Sequence, residues 1–344
     1  MELQARRVFR FALVVALSAT IGFAMQLEFT LLPPVLAVLL SLKPAPPMKP
    51  RALLVLVTVI LITTSIGMLL VPLLLHYPLT AVLLGLLGLY ASSYLTVNLK
   101  QSALGTFLAM GFVLISALGL SSVTYGWTWV QTMAGGVIIA ILCQWLVYPF
   151  FPEDPAAATA TPAPPVGAEQ SNWIALRSAI IVLPVWMAAL SDPSTWVSAL
   201  TKSLTLGQQS SYPGAREAGL ELLGSTFLGG LLAVLFWLLL GILPNLWVMF
   251  LLSLAVGIYG GSKLYGILST RFPPSFWSNT LMTLWILLAP AVADSASSKD
   301  VYKAFVVRFL LFVGVTLYAW VAVVLLEQWR QRKAVRMQAR AAST

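Results

Sequence analysis

Long apolar segments constrain the fold of this chain more than any other feature of its sequence. Twelve such runs are separated by charged residues or by Pro and Gly, and most are long enough to cross the roughly 30 Å hydrocarbon layer of a bilayer as helices. We therefore predict an all-α integral membrane protein. The runs are 8–27, 31–42, 52–75, 79–97, 103–120, 127–150, 174–190, 196–206, 218–243, 246–264, 276–293 and 301–326.

The second and eighth runs, 31–42 and 196–206, are too short to span a bilayer comfortably. We expect tilted, broken or re-entrant helices there, since lipid tolerates irregular backbone only where protein or water satisfies it. Double prolines at 33–34, 46–47 and 273–274 predict breaks between helices, because proline cannot continue a regular helix.

The Pro-, Ala- and Thr-rich segment 151–172 divides the runs into two sets of six. Each set begins with an arginine that enters a span, Arg10 or Arg177, and continues with a short second run. This order predicts two parallel repeats of about six transmembrane helices, as in many transporters. The predicted domains are a first membrane repeat (1–150), a cytoplasmic linker (151–172), a second repeat (173–329) and a basic cytoplasmic tail (330–344).

The net charge of +9 reflects basic residues at the edges of apolar runs, without a separate basic domain. This distribution argues against nucleic-acid binding. With both termini in the cytoplasm, every Lys and Arg except Lys299, Lys303 and Arg308 falls in a cytoplasmic loop or tail, and Lys202 is assigned there too. Such a split follows the positive-inside rule.

No catalytic set, phosphate-binding loop or metal cluster is evident in the sequence. The single His76 and the single Cys143 cannot form a metal site. We therefore expect neither an enzyme nor a cofactor, and any energy would come from an ion gradient or a partner.

Arg308 lies about two turns inside the last apolar run. Charged groups at such depth usually face the protein interior or water, and a guanidinium can bind a carboxylate through two hydrogen bonds. Phe305 and Phe312 share its helical face, so the three residues form a candidate substrate site. The alternatives are snorkelling to the interface or a structural pair with Asp294 or Asp300.

Glu221 is the candidate for proton coupling, because it lies inside the ninth run and burial favours the protonated form of a carboxyl group. Asp192 and Asp300, near the predicted outer face, are the other candidates. An interfacial ion pair of Glu221 with Arg216 or Lys202 is the alternative.

Two stretches carry a resemblance to a known family. "RFALVVALSATIGFAMQLEFTLLPPVLAVLL" (10–40) resembles the opening of short fusaric acid resistance-like membrane proteins, and "AREAGLELLGSTFLGGLLAV" (215–234) is similar to their arginine followed by a small-residue helix. This family belongs to the wider aromatic acid exporter superfamily. The sequence here resembles a short, membrane-domain-only member, without the large cytosolic domain of the long exporters.

The resemblance implies a multi-pass protein of the bacterial inner membrane that exports an organic anion, such as an aromatic carboxylate. The implied partners are membrane lipids, a periplasmic adaptor and an outer-membrane channel, and a homo-oligomer stays open. Two rival functions remain at this stage: a passive organic-anion channel, and a membrane scaffold that anchors an adaptor without transport.

Overall fold

The computed structural model describes residues 2–42, 44–99, 102–154, 168–207, 215–296 and 301–341. Within these ranges every regular element is a helix, so the protein is all-α. The helices are α1 (Leu3–Ala24), α2 (Leu32–Ser41), α3 (Pro50–His76), α4 (Pro78–Val97), α5 (Ser102–Met110), α6 (Ser116–Ser121), α7 (Val123–Val147), α8 (Ala168–Ser191), α9 (Pro193–Gly207), α10 (Ala215–Ile242), α11 (Leu246–Leu264), α12 (Pro274–Ala296) and α13 (Val301–Ala341).

Ten helical segments in the described ranges are long and apolar enough to cross a membrane. One of them joins α5 to α6 through a π-helical stretch, Gly111–Ile115. Helices predominate because lipid offers no hydrogen bonds to the backbone, so each segment must satisfy its own amide and carbonyl groups. The predicted double-proline breaks are confirmed, since Pro33 and Pro34 lie in the first turn of α2, α12 begins at Pro274, and Pro46 lies between helices.

The two short helices are α2 and α9, at the positions predicted from the second and eighth apolar runs. Ser41, the last residue of α2, accepts a hydrogen bond from Gln144 near the end of α7. The Ser41 carbonyl also accepts from Tyr265, just after α11. The helix α2 therefore returns the chain to the face at which α7 and α11 end.

Salt bridges join the beginning of the first half to its end. Arg7 and Arg10 in α1 both donate to the Glu153 carboxylate after α7, and Arg6 pairs with Asp154 at 3.0 Å. We call Arg7, Arg10 and Glu153 the first ion cluster. The N-terminus and the start of the segment that joins the halves therefore lie on one face of the protein, the N-terminal face.

The second half repeats this closure with different residues. Arg177 in α8 donates to Glu327 in α13 at 2.7 Å, and the Trp173 indole donates to the same carboxylate at 3.0 Å. We call Arg177 and Glu327 the second ion pair. In both halves an arginine of the first helix binds a glutamate from the C-terminal part of the half: Glu153 follows α7, and Glu327 lies within α13.

The halves interlock through reciprocal helix contacts. The first helix of each half packs on the fourth helix of the other half, counting the short helices: α1 packs on α11, and α8 packs on α4. The short helices behave alike, because α2 contacts α12 while α9 contacts α5 and α6. This reciprocity supports the two parallel repeats, which remain a prediction.

Small residues set both of these contacts. A Cβ atom on Gly257 of α11 would lie 2.9 Å from the Ala12 Cα of α1, so the two backbones meet closely. At the other contact, a Cβ on Gly85 of α4 would overlap the ring of Trp186 from α8. The Trp186 indole then donates to Ser116 at 3.1 Å, inside the first half.

Two boundaries differ from the sequence prediction. Helix α8 begins at Ala168, inside the predicted linker, and α13 continues without a break through residue 330 to Ala341. The α8 extension contains Ala, Glu and Gln, and the α13 extension is rich in Arg, Gln and Ala, all of which have high helix propensity. Residues 155–167 of the predicted linker lie outside the described residues.

Candidate functional site

Helix α9 carries the polar residues of the second half into the protein interior. Asp192 precedes it, and its carboxylate accepts a hydrogen bond from the Thr195 amide at 3.4 Å, as an N-cap residue does. The helix then packs on α8 and α13. Residues Thr201, Lys202, Ser203 and Leu204 are all buried.

Lys202 is the central residue of this interior. It is 1% exposed, and its Nζ donates to the Asn279 side-chain oxygen and, at 3.3 Å, to the Thr283 hydroxyl. The same Nζ lies 5.6 Å from the centre of the Phe312 ring, a cation–π distance. Three helices, α9, α12 and α13, therefore meet at one ammonium group.

Asn279 extends the hydrogen bonds to a fourth helix. Its amide nitrogen donates to the Ser225 hydroxyl of α10 at 2.6 Å, while its oxygen accepts from Lys202. Ser225 in turn donates to the Leu222 carbonyl of its own helix. We call Lys202, Ser225, Asn279 and Thr283 the Lys202 cluster; all four side chains are buried.

This position corrects the sequence-based assignment of Lys202 to a cytoplasmic loop. The residue falls inside the predicted eighth run, but the charge count placed it with the loops because lysine is common at membrane edges. Its sequence neighbours gave a usable signal. Small hydroxyl residues around a lone lysine in a short apolar run indicate a packed helix that can hydrogen-bond internally, more than a solvated turn.

Arg308 lies on α13 toward the face opposite the N-terminus. Its Nη1 atom donates to the Asp294 carboxylate, near the end of α12. The Arg308 side chain is 21% exposed and that of Asp294 10%. The structure thus realises one of the structural pairs considered for Arg308, and a substrate carboxylate would have to bind alongside Asp294. Asp300, the other acid considered, lies outside the described residues.

The two aromatic candidates have separate neighbours. Phe312 is fully buried and lies against Lys202, one turn from Arg308. Phe305 is buried against Phe309, with ring centres 6.3 Å apart and nearly parallel planes. The structure therefore brings Phe312 to the Lys202 cluster and leaves Phe305 in an aromatic contact.

Of the predicted proton carriers, Glu221 is half-buried and Asp192 is exposed. Glu221 lies one helical turn before Ser225, so it shares the helix face that leads to the Lys202 cluster. Asp192 caps α9. Among the described residues no group of three or more His, Cys, Asp or Glu side chains could hold a metal ion.

A match to a known protein family is found in the first half of the chain. Residues 7–147 match the model of a family described as "Protein of unknown function (DUF2955)". This stretch begins within α1 and stops at the end of α7, so it coincides with the predicted first repeat. Neither a curated protein nor a solved structure matches the chain.

Proposed function

We propose that this membrane protein transports organic anions and that the Lys202 cluster is their binding site. One observation carries the proposal: a fully buried lysine sits among four helices of the second half. Burying an ammonium group costs free energy, so ionisable residues inside a membrane protein mark substrate or ion pathways by default.

The cluster has the chemistry that a carboxylate requires. Lys202 supplies positive charge and N–H donors, and Thr283 supplies a hydroxyl donor. The Phe312 ring beside them offers an apolar face for the ring of an aromatic acid. Because Lys202 and Phe312 are almost fully buried, access requires α9 to separate from α12 and α13, as in alternating access.

The cellular setting belongs to the same proposal. The protein would export aromatic carboxylates from the bacterial cytoplasm across the inner membrane, with a periplasmic adaptor and an outer-membrane channel as partners, and with both termini in the cytoplasm.

Single cysteines at Thr161 and Ala341 should then resist a membrane-impermeant label added outside, while one at Ser297 reacts. The native Cys143 is buried, which keeps the background low. Labelling of Thr161 and Ser297 from the same side would contradict the topology.

Proton coupling would use Glu221, one turn from Ser225 on the face toward the cluster. Glu221→Gln removes a titratable proton and preserves the shape of the side chain. We expect the variant to insert normally and to lose the dependence of export on a pH gradient. If proton-driven transport is unchanged, Glu221 is not the carrier.

The central test is flux of radiolabelled benzoate and related aromatic acids through the purified full chain in vesicles. Lys202→Met keeps the apolar stem and removes the charge, so we expect flux to fall at least about tenfold, the equivalent of 1.4 kcal/mol of lost binding. Lys202→Arg should keep part of the flux. The matched control is Lys263→Met, since Lys263 also lies over an aromatic ring, Trp277, but at the end of α11.

The results distinguish the rival functions. Full flux in Lys202→Met, normalised to folded protein, would remove the Lys202 cluster as the anion site. Accumulation against a gradient that a protonophore abolishes indicates a pump, whereas flux that only follows the gradient indicates a passive channel. Wild-type protein that moves no acid in the panel would leave the adaptor scaffold as the better interpretation.

A further inference from the structure

An open groove on the outer surface of the second half has the size of a ligand site. It lies between α8, α9 and α13 and encloses about 500 Å³, within the range of small-molecule sites. We call it the lateral groove and define it by Pro184, Val185, Trp196, Leu311, Gly314 and Tyr318. Its lining among the described residues is almost wholly apolar and includes two large aromatic rings, those of Trp196 and Tyr318.

The length and direction of the groove match one leaflet of a bilayer. Its α13 residues run from Val307 to Tyr318, which spans about 16 Å at 1.5 Å per residue. A bilayer has a hydrocarbon layer of about 30 Å, so this is roughly half of it.

The Trp145 indole near the end of α7 donates to the Met48 carbonyl, so α3 starts at the N-terminal face, and α4 returns to that face, where Asn98 donates to Asn172 of α8. Glu327 pairs with Arg177 of α8 near this point, so the Val307 end of the groove lies toward the opposite face.

Arg308 places a positive charge beside that end of the groove. Around the helix axis it lies only about 20° from Val315 and about 60° from Leu311, both of which line the groove. In the described part of the chain, Asp294 accepts from one terminal nitrogen of Arg308, Nη1. The second edge of the planar guanidinium is then geometrically suited to a ligand carboxylate.

We infer that the lateral groove binds an amphipathic carboxylate from the bilayer, with its apolar body along Leu311, Gly314 and Tyr318 and its carboxylate on Arg308. The inference rests on the proposed anion transport and narrows its substrate class to acids that partition into the membrane. An apolar groove with a guanidinium edge at one end matches a molecule with one anionic end and an apolar remainder. A neutral lipid chain would gain nothing from Arg308.

Gly314 lines the groove, which gives a direct way to block it. A Cβ atom on Gly314 would meet no atom within 4 Å, so a large side chain there fills the groove without a clash at its root. Gly135 on α7 has the same open surroundings, outside the groove. Gly314→Trp and Gly135→Trp are therefore a matched pair.

The experiment is photolabelling of the full chain in nanodiscs with a diazirine-bearing palmitate, followed by mass spectrometry of the labelled peptides. We expect wild type and Gly135→Trp to be labelled between residues 307 and 318, and Gly314→Trp to lose about tenfold in that label. The diazirine-bearing hexadecanol, which lacks the charge, should label the same peptide at least about tenfold less.

Two charge variants test the carboxylate contact. Arg308→Gln should reduce palmitate labelling to the level of the alcohol. Asp294→Asn should hold or raise it, because a competing carboxylate is removed while Arg308 is kept. The Asp294→Asn result decides the question if Arg308→Gln fails to fold.

Other occupants give different results, each of which overturns the inference. Equal labelling by palmitate and hexadecanol would identify the groove as a binding site for ordinary lipid chains. Loss of dimers in Gly314→Trp, with no labelling of wild type, would identify a contact between two copies of the chain. Labelling needs no flux, so a failure of the transport proposal leaves this result intact, and an unlabelled groove leaves the Lys202 test intact.

Discussion

The two halves of the protein have the same frame and different interiors. Both close at the N-terminal face through an arginine and a glutamate, and both pack their first helix on the other half. Their short helices differ. In α2 the buried residues from Leu32 to Val38 are all apolar, whereas α9 buries Thr201, Lys202 and Ser203.

This difference separates stability from function. An apolar helix such as α2 gains free energy from packing against protein, while a buried ammonium group costs free energy that its hydrogen bonds only offset. An apolar interior is suited to structural support, whereas a buried lysine is suited to a binding site. Both halves therefore contribute the helical framework, and we expect the second half to contribute the anion-binding residues.

The largest expected effect is at the contact where α8 enters the first half. Gly85→Leu should prevent the Trp186 ring from packing on α4, and we expect a loss of about 3 kcal/mol or of folded protein altogether. Gly135→Leu, with nothing within 4 Å, should be tolerated. Size-exclusion profiles and melting of the purified proteins measure the difference.

A double variant sharpens this test. Trp186→Ala opens the space that the Leu side chain needs, so Gly85→Leu should destabilise the Trp186→Ala protein less than wild type. If Gly85→Leu melts like wild type, Trp186 does not hold the halves together as the structure indicates.

The two closures at the N-terminal face should differ in strength. The Glu153 side chain is 2% exposed and accepts from both Arg7 and Arg10, so Glu153→Gln should cost about 3 kcal/mol. The Glu327 side chain is 35% exposed, and Glu327→Gln should cost about 1 kcal/mol or less. Thermal unfolding of both variants in the same detergent compares the two losses of stability. Equal losses would show that burial of the carboxylate does not determine the strength of each closure.

The first ion cluster also predicts an acid-sensitive stability. Burial raises the pKa of Glu153, but hydrogen bonds and charge from Arg7 and Arg10 outweigh it and hold the pKa below its usual 4.5. A carboxyl group with a lowered folded-state pKa stabilises the fold above its unfolded pKa, and this contribution is lost as pH falls through the folded value. Melting temperatures from pH 7 to pH 3 should fall less steeply in Glu153→Gln than in wild type; parallel curves would argue against this role.

The smallest expected effect is at the opposite face, where Arg308 meets Asp294. Both side chains are partly exposed, so we expect Arg308→Ala and Asp294→Ala each to cost about 1 kcal/mol, and the double variant to cost less than their sum. Additive losses would mean that the pair contributes no coupling. Arg308→Ala should still reduce carboxylate transport when flux is normalised to folded protein.

Much of the fold could be predicted because its signals are local. Apolar runs, proline breaks and the two short segments all depend on residues close together in the chain. The start of α8 and the length of α13 were missed for an equally local reason, since polar residues with high helix propensity can extend a helix beyond the apolar run that indicates it. The Arg308 to Asp294 pair was among the predicted alternatives, because the two residues are close in sequence.

The candidate site could be predicted only in part. Phe312 was singled out for its position relative to Arg308, yet its partner is Lys202, which lies more than a hundred residues earlier in the chain. Neither Asn279 nor Ser225 was among the predicted site residues, because each is a single polar residue in an apolar run. Nothing in the local pattern of any one helix indicates that these side chains share hydrogen bonds.

By itself, the sequence determined that this chain forms apolar helices in a membrane, because a bilayer leaves the backbone few other ways to satisfy its hydrogen bonds. The tertiary structure alone decided which charges are buried. A lysine in a short run is compatible with a solvated edge or with an interior, and the outcome depends on whether helices from elsewhere supply partners. For Lys202 those helices are α10, α12 and α13, and their packing turns a presumed loop residue into the centre of the proposed site.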